Sequence, residues 1–271
     1  MAYFQVVRLV LGYSLTPFSF VLGFILAKCL SMRRSRPEFK AAFASLLTAL
    51  QILLFKESKW HFLVGLLFAC IGYRSLVPGL TGGLGTGKSS VSTFLRSHGW
   101  RVIDADEISR NILKRGTPAY RQVVKAFGSS VLDKASGEVD RMRLRHIVFQ
   151  DAAKRRLLNR LTHPWIIGTI LWRIFKFRIC LWEQRVVVDI PLLFETKFNL
   201  LCGPVVVVCV AEDLQLQRLV LRDRTSSEEL LRSMIRSQLP LKEKVSLADI
   251  VLDNNSTLDN LFEQIKQHFP C

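Results

Sequence analysis

The sequence is poor in cysteine and in acidic residues. Its 271 residues include six cysteines, and no two of them form a C-x-x-C pair, which argues against a disulfide framework and a structural zinc site. Asp and Glu number 22 against 38 Lys and Arg, so the formal net charge is +16. This basic excess suits an anionic partner, such as a phosphate compound, a nucleic acid or an anionic membrane surface. The chain has no internal repeat and is 49% hydrophobic, so it can bury a core.

The N-terminal part, residues 1–74, is both apolar and basic. Residues 9–27 carry no charge, which is nearly the length of a membrane span, and the basic stretch KCLSMRRSR follows from position 28. No acidic residue precedes Glu38, which also suits an organelle-targeting segment. We therefore expect a separate hydrophobic helical extension that is a membrane anchor, a targeting segment or a stretch without a role in the chemistry. A genuine extension would make the protein membrane-associated or mitochondrial, and otherwise it would be cytoplasmic.

From residue 75 onward, short β-branched runs alternate with amphipathic patterns. Val186–Ile190 and Val205–Val210 are typical of strands buried on both faces of a parallel sheet, and Arg101–Asp104 and Ile250–Leu252 are weaker examples. The predicted helices lie at Ser89–Ser97, Pro118–Phe127, Asp140–Leu161, Trp165–Phe177, Asp213–Arg222, Ser227–Ser237 and Thr257–Phe269. This alternation predicts an α/β domain with a doubly wound parallel sheet over residues 75–271. The helix-only stretch from about residue 110 to 180 predicts a helical subdomain.

The strongest local signal is a glycine-rich loop. Residues 82–89, GGLGTGKS, fit the pattern G-x-x-x-x-G-K-[ST] in full, and a predicted helix follows them. Glycines let such a loop wrap closely around phosphates, because its backbone N–H groups form an anion nest at a helix N-terminus. Lys88 is placed to reach the β- and γ-phosphates, and the Ser89 hydroxyl is placed to hold Mg²⁺. The motif therefore predicts a nucleoside triphosphate site.

The strand that leads into this loop is ambiguous in the sequence. Pro78 lies where a central strand should be, although proline removes a donor from the strand ladder. Residues 62–66, FLVGL, read like a second copy of such a strand, and removal of residues 66–79 would join FLVG directly to LTGG. We expect an insertion here, with the strand itself at Leu76–Leu80.

Several side chains downstream of the loop are candidates for the chemistry. Asp104 and Asp106 follow a predicted strand, where a carboxylate can orient an acceptor hydroxyl, take its proton or hold a metal through water. Alternatively, Asp106 caps the next helix and Asp104 is a turn residue. Asp189 ends the run at Val186–Ile190, as a Walker-B-type acid or an ordinary strand-terminal aspartate. His163 is predicted between two helices, where a cap or a core contact is commoner than a ligand.

Five arginines lie on the last two predicted helices before residue 240 and on the turn between them: Arg218, Arg222, Arg224, Arg232 and Arg236. Phosphoryl transfer needs cations around the equatorial oxygens, and a closing lid often supplies them. A solvated basic face is the alternative. No RNA- or DNA-binding motif accompanies these arginines, so a nucleic-acid partner is not expected.

Six segments that follow one another along the chain are together specific: GLTGGLGTGKSS from Gly79, VIDADEISR from Val102, THP from Thr162, VVDIPLLFE from Val187, QLQRLVLRD from Gln215 and ADIVLDNN from Ala248. Over residues 79–271 the chain resembles the dephospho-CoA kinase family. The resemblance implies a P-loop kinase with a core, a helical substrate subdomain and a lid. It also implies ATP-dependent phosphorylation of the ribose 3′-hydroxyl of dephospho-CoA, the last step of CoA synthesis, with ATP and Mg²⁺.

The resemblance implies site residues by position. The implied ATP-binding residues are Gly82, Gly83, Leu84, Gly85, Thr86, Gly87, Lys88, Ser89, Ser90 and Asn254, the last in a segment that matches one near the adenine. The catalytic residues are Lys88, Arg222 and Asp106, which activates the 3′-hydroxyl. The implied substrate-binding residues are Asp104, Arg110 and His163, and the implied metal-binding residues are Ser89 and Asp189. The chain departs from the family pattern at Met234, where many members have an arginine.

A GTPase is not expected, because it would need an N-K-x-D motif, which the sequence lacks. Two other functions remain open at this point. A nucleoside monophosphate kinase would share the loop and the lid, but not the series DAD, HP and DIPLLFE. A membrane-tethered nucleotide-binding pseudoenzyme is the second alternative, and intact Lys88, Ser89, Asp106 and Asp189 argue against it.

Overall fold

A computed structural model of the chain describes residues 75–133, 135–223 and 227–269, together with Val21, Phe24, Ile25 and Lys28. The predicted N-terminal extension, with its candidate span at residues 9–27, lies outside the described residues apart from those four. In the part of the chain that is described, no helix combines the length and the apolar character that crossing a bilayer requires.

Five strands form one sheet. They are β1 (Val77–Gly82), β2 (Arg101–Asp104), β3 (Val186–Asp189), β4 (Cys202–Cys209) and β5 (Ile250–Asp253). Their order across the sheet is β2-β3-β1-β4-β5, so β1 is central. β1 pairs in parallel with β3 and β4, and β4 pairs in parallel with β5. The order places later strands on both sides of β1, which confirms the predicted doubly wound α/β class.

The helices are α1 (Lys88–Ser97), α2 (Ala105–Asn111), α3 (Pro118–Phe127), α4 (Arg141–Gln150), α5 (Ala152–Phe175), α6 (Glu212–Arg222), α7 (Glu228–Arg236), α8 (Leu241–Leu247) and α9 (Leu258–His268). The chain divides into two compact units. Residues 103–176 form a helical unit that carries α2 to α5, and the described residues from 75 to 102 and from 177 onward belong to the other unit. The predicted helical subdomain is therefore confirmed. The short helix α2 was predicted only by the alternative in which Asp106 is a cap, and α8 was not predicted.

The predicted helix break at His163–Pro164 is wrong. α5 continues from Ala152 to Phe175 with Pro164 inside it. The chain breaks instead at Asp151, whose side chain accepts the backbone N–H groups of Ala153 and Lys154 and so caps α5. A proline inside a helix costs about 3 kcal/mol, and the packing of a helix of 24 residues offsets that cost.

Pro78 lies within β1, at a local irregularity. The pairing of β1 with β4 shifts register between Val77 and Gly79, and the pairing of β1 with β3 begins at Gly79. Proline is tolerated at a bulge or near the start of a strand, because no ladder hydrogen bond is lost there. The predicted strand Leu76–Leu80 is therefore found, displaced toward the loop, at Val77–Gly82.

Apolar side chains of the sheet and two helices form the core of the first unit. Leu80 and Val206 from the sheet are fully buried with Val91 of α1 and with Leu261 and Ile265 of α9. This burial explains why the valine-rich runs form internal strands. It also fixes the start of α1 against the end of β1, where the glycine-rich loop lies.

A buried lysine ties α8 to the segment that follows β3. Lys244 has no exposed surface, and its ammonium lies 2.9 Å from Oε1 of Glu195 and donates to the Pro191 carbonyl at 3.1 Å. Glu195 also accepts the backbone N–H of Leu239. Burial alone would raise the pKa of Glu195, but the Leu239 N–H and the Lys244 ammonium outweigh it and lower the pKa.

We expect Lys244→Ala to lower the free energy of unfolding by about 2–4 kcal/mol, because it opens a cavity and removes the partner of Glu195. Urea unfolding at neutral pH measures this change. Lys242 is exposed on the same helix, and Lys242→Ala should change stability by less than about 0.5 kcal/mol. Equal losses in the two variants would contradict the structural role of Lys244.

Candidate active site

The glycine-rich loop connects the end of the central strand β1 to the start of α1. Gly85 and Gly87 have φ values of 76° and 91°, in the left-handed region that favours glycine. Gly87 is the N-cap of α1, and no side chain caps this helix. The N–H groups of Ser90 and Val91 donate to the Gly87 carbonyl, so those of Lys88 and Ser89 stay available to an anion, which the partial positive charge of the helix end also attracts.

An ion pair holds Lys88 at the start of α1. Its ammonium lies 2.6 Å from Oδ1 of Asp189, the last residue of β3, and Asp189 is only 3% exposed. The hydroxyl of Ser92, one turn into α1, donates to the other oxygen of the same carboxylate at 2.5 Å. Both oxygens of Asp189 are therefore engaged, and the lysine is positioned by the adjacent strand.

Two buried amide side chains reach the loop from distant parts of the chain. Gln215 of α6 donates to the Leu84 carbonyl at 2.7 Å. Asn254, directly after β5, donates to the Thr86 carbonyl at 2.8 Å. Each residue is 2% exposed. Asn254, predicted to lie near the adenine, thus contacts the loop itself. Gln215 was not predicted, because a glutamine in an amphipathic helix resembles a solvent-facing residue.

The arginine-rich segment follows α6. Arg222 is exposed at the end of α6, whereas Arg224 lies outside the described residues. On α7, Arg232 pairs with Glu228 of the same helix at 2.7 Å. A cavity of about 320 Å³ extends from Gly83 to Arg232 and Arg236. The loop and two of the predicted lid arginines therefore line a common space.

The other predicted site residues belong to the helical unit. The side chain of Asp104 accepts the N–H groups of Asp106 and Glu107 and is the N-cap of α2. The alternative that Asp106 is the cap is therefore wrong, and Asp106 is exposed in the first turn. Arg110 is exposed at the end of α2, and His163 is exposed in the middle of α5.

The helical unit contains a cavity of its own. It has a volume of about 250 Å³, and its lining includes Ile108 and Ile112 from α2 and the segment after it, and Trp165 from α5. Polar groups are contributed by Asn111 and Arg173. A mainly apolar cavity with a few polar groups is typical of a small-molecule site.

The predicted Mg²⁺ site consists of Ser89 and Asp189. Within the described ranges, no cluster of three His, Cys, Asp or Glu side chains could hold a metal ion. Mg²⁺ in kinases is held by substrate phosphates and one or two protein groups, so it needs no such cluster. Ser89, exposed in the first turn of α1, and Asp189 are suitable groups of this kind.

Comparison with known proteins gives a consistent result. The family model described as dephospho-CoA kinase matches residues 76–260. The dephospho-CoA kinase of Arabidopsis thaliana is 45% identical over 191 residues, which cover 70% of this chain and 81% of that protein. The dephospho-CoA kinase of Carboxydothermus hydrogenoformans is 44% identical over 189 residues, which cover 70% of this chain and 90% of that protein.

Two solved structures are also similar. TT1252 from Thermus thermophilus aligns with a TM-score of 0.61 at 26% identity, covering 71% of this chain and 95% of that chain. The dephospho-CoA kinase from Campylobacter jejuni aligns with a TM-score of 0.55 at 26% identity, covering 71% and 94%.

We expect Gly87→Ala to weaken ATP binding by more than about ten-fold, the equivalent of 1.4 kcal/mol. A Cβ at this position would lie 2.2 Å from Nδ2 of Asn254, so the Asn254 amide must leave the Thr86 carbonyl or the loop must move. Gly99 ends the same helix with a similar φ of 82°, and its Cβ would meet no atom closer than 3.7 Å. Gly99→Ala therefore carries the same backbone strain without the collision. Calorimetric titration with ATP should separate the two variants, and equal affinities would contradict the collision.

Proposed function

The chain belongs to the dephospho-CoA kinase family, and from this premise we propose which residues transfer the γ-phosphoryl group of ATP to the ribose 3′-hydroxyl of dephospho-CoA. The observation that carries the proposal is the glycine-rich loop between β1 and α1, with Lys88 fixed at its end by Asp189. Lys88, Asp106 and Arg222 are proposed as the catalytic residues. Gly82 to Ser90 are proposed to bind the triphosphate.

The triphosphate is held by the N–H groups of the loop, by the N-terminus of α1 and by the ammonium of Lys88. Lys88 must then be shared between Asp189 and the phosphate oxygens, which the 2.6 Å ion pair supports by keeping the ammonium in place beforehand. Ser89 and Asp189 would hold Mg²⁺, the latter through water because both of its oxygens are engaged. When bound, Mg²⁺ neutralises the charge that develops on the β- and γ-phosphates.

Asp106 is proposed as the general base. As the 3′-hydroxyl oxygen attacks the γ-phosphorus, its proton passes to the Asp106 carboxylate, the bond to the bridging oxygen breaks and ADP leaves. The exposure of Asp106 in the first turn of α2 supports this role. Asp104 would position that turn through its cap hydrogen bonds, and Arg222 would face the transferred phosphoryl group from the lid.

The cavity of the helical unit is proposed to bind the pantetheine arm of dephospho-CoA. This arm is long, thin and mostly apolar, with two amide groups along it. The apolar lining by Ile108, Ile112 and Trp165 and the polar groups of Asn111 and Arg173 suit such a ligand. Arg110 and His163, which belong to the same unit, would contact the nucleotide portion.

We expect ATP consumption with dephospho-CoA to exceed that with AMP or CMP by at least about 100-fold, since a site that hydrogen-bonds its substrate discriminates strongly against partial analogues. A coupled assay for ADP measures the rates, and phosphorus NMR should show a new phosphate monoester on the 3′-oxygen. Turnover on AMP alone would favour a monophosphate kinase, and the absence of any turnover by folded protein would favour a pseudoenzyme.

We expect Asp106→Asn to lower kcat by about 10²–10⁴-fold with the fold retained, because the variant cannot accept the proton of the hydroxyl. Glu107→Gln is the matched control, since it removes a neighbouring carboxylate from the same helical turn, and it should lower kcat by less than about ten-fold. Steady-state rates, with circular dichroism as the check on folding, measure both. A fully active Asp106→Asn enzyme would refute the assignment of the base.

A further inference from the structure

Three carbonyl groups of the glycine-rich loop are held by side chains. The hydroxyl of Thr86 donates to the Gly83 carbonyl at 2.9 Å. The amide of Gln215 donates to the Leu84 carbonyl at 2.7 Å. The amide of Asn254 donates to the Thr86 carbonyl at 2.8 Å. Each bond therefore fixes the orientation of one peptide plane in the loop.

Fixing a carbonyl also fixes the next N–H group. A trans peptide is planar, and its C=O and N–H groups point in opposite directions. Holding the carbonyls of residues 83, 84 and 86 toward these donors therefore turns the N–H groups of Leu84, Gly85 and Gly87 away from the donors. Within the described part of the chain, these three N–H groups donate to no protein acceptor. The N–H of Thr86 is directed differently, because it donates to the Gly83 carbonyl at 3.4 Å.

The two amide side chains occupy the space that side chains at Gly83 and Gly87 would need. A Cβ on Gly83 would lie 2.9 Å from Nε2 of Gln215, and a Cβ on Gly87 would lie 2.2 Å from Nδ2 of Asn254. The absence of side chains at Gly83 and Gly87 thus makes room for the amides. Oδ1 of Asn254 is buried with no hydrogen-bond partner among the described residues. Burying an oxygen without a hydrogen-bond partner costs free energy, and a role of the Asn254 amide in the site would compensate for that cost.

We infer that Gln215 and Asn254 are positioning residues that orient the N–H groups of the loop toward the phosphate chain before the nucleotide binds. The inference rests on the triphosphate site of the proposed function. It gives Asn254 a role that is distinct from a contact with the adenine. The two roles differ in what they predict for a ligand that has phosphates but no base.

The test compares the binding of ATP and of inorganic tripolyphosphate. We expect Gln215→Met and Asn254→Leu, which keep the side-chain size but remove the donor, to weaken both ligands by the same factor of about three- to ten-fold. In the assay, the KM for ATP should rise while the KM for dephospho-CoA stays constant. Gln217 is exposed on the same helix, two residues from Gln215, and Gln217→Ala should bind both ligands as the wild type does.

Two results would overturn the inference. If Asn254→Leu weakened ATP but not tripolyphosphate, Asn254 would recognise the adenine. If neither ligand were weakened, the hydrogen bonds would not orient the loop. A wild-type enzyme that binds tripolyphosphate and yet does not phosphorylate dephospho-CoA would refute the proposed function instead, and the comparison of the variants would still decide the positioning role.

A measurement on the wild type covers the case in which a variant does not fold. Titration with tripolyphosphate should shift the amide proton resonances of Leu84, Gly85 and Gly87 strongly and that of Thr86 weakly. A strong shift of Thr86 with weak shifts of the other three would contradict the orientation inferred from the carbonyls.

Discussion

The site depends on the ion pair between Lys88 and Asp189. A lysine at the start of a helix has a long and flexible side chain, and ordering it costs conformational entropy. In this protein the Lys88 side chain is already ordered in the folded state, because Asp189 is aligned with Leu80 in the adjacent strand and fixes the ammonium beside the loop. Ser92 holds the second carboxylate oxygen. A triphosphate bound as proposed would therefore meet a cation already in position, and its binding would weaken an existing ion pair instead of ordering a mobile side chain.

The remaining parts of the site are distributed over separate elements that converge on one loop. β1 supplies the loop, α6 supplies Gln215 and the segment after β5 supplies Asn254. α6 also ends at Arg222, so the helix that supports the loop leads directly into the lid segment. If the proposed lid closes and moves α6, the displacement would reach the Leu84 carbonyl through Gln215.

The sequence predicted those features that local patterns determine. The bounds of β2 and α3 are as predicted, because the β-branched pair Val102 and Ile103 in β2 and the Thr-Pro start of α3 are local signals. Pro118 is at the first position of its helix, where proline is favourable, but Pro164 lies inside α5, and no local pattern reveals the packing that tolerates it. The partners of the loop could not be predicted either. Gln215 and Asn254 are 131 and 168 residues from the carbonyls that they bind.

The irregular start of β1 shows which part of the central strand the site requires. Pro78 and the register shift affect only the beginning of the strand, before the recorded pairing with β3 at Gly79. From Leu80 onward β1 is buried, and Leu80 is paired with both neighbours. The position of the loop is set by this last part, since Gly82 leads directly into it. The irregular pairing before Gly79 therefore leaves Gly79 to Gly82 in register with both neighbouring strands or with β4 alone, and so leaves the start of the loop in place.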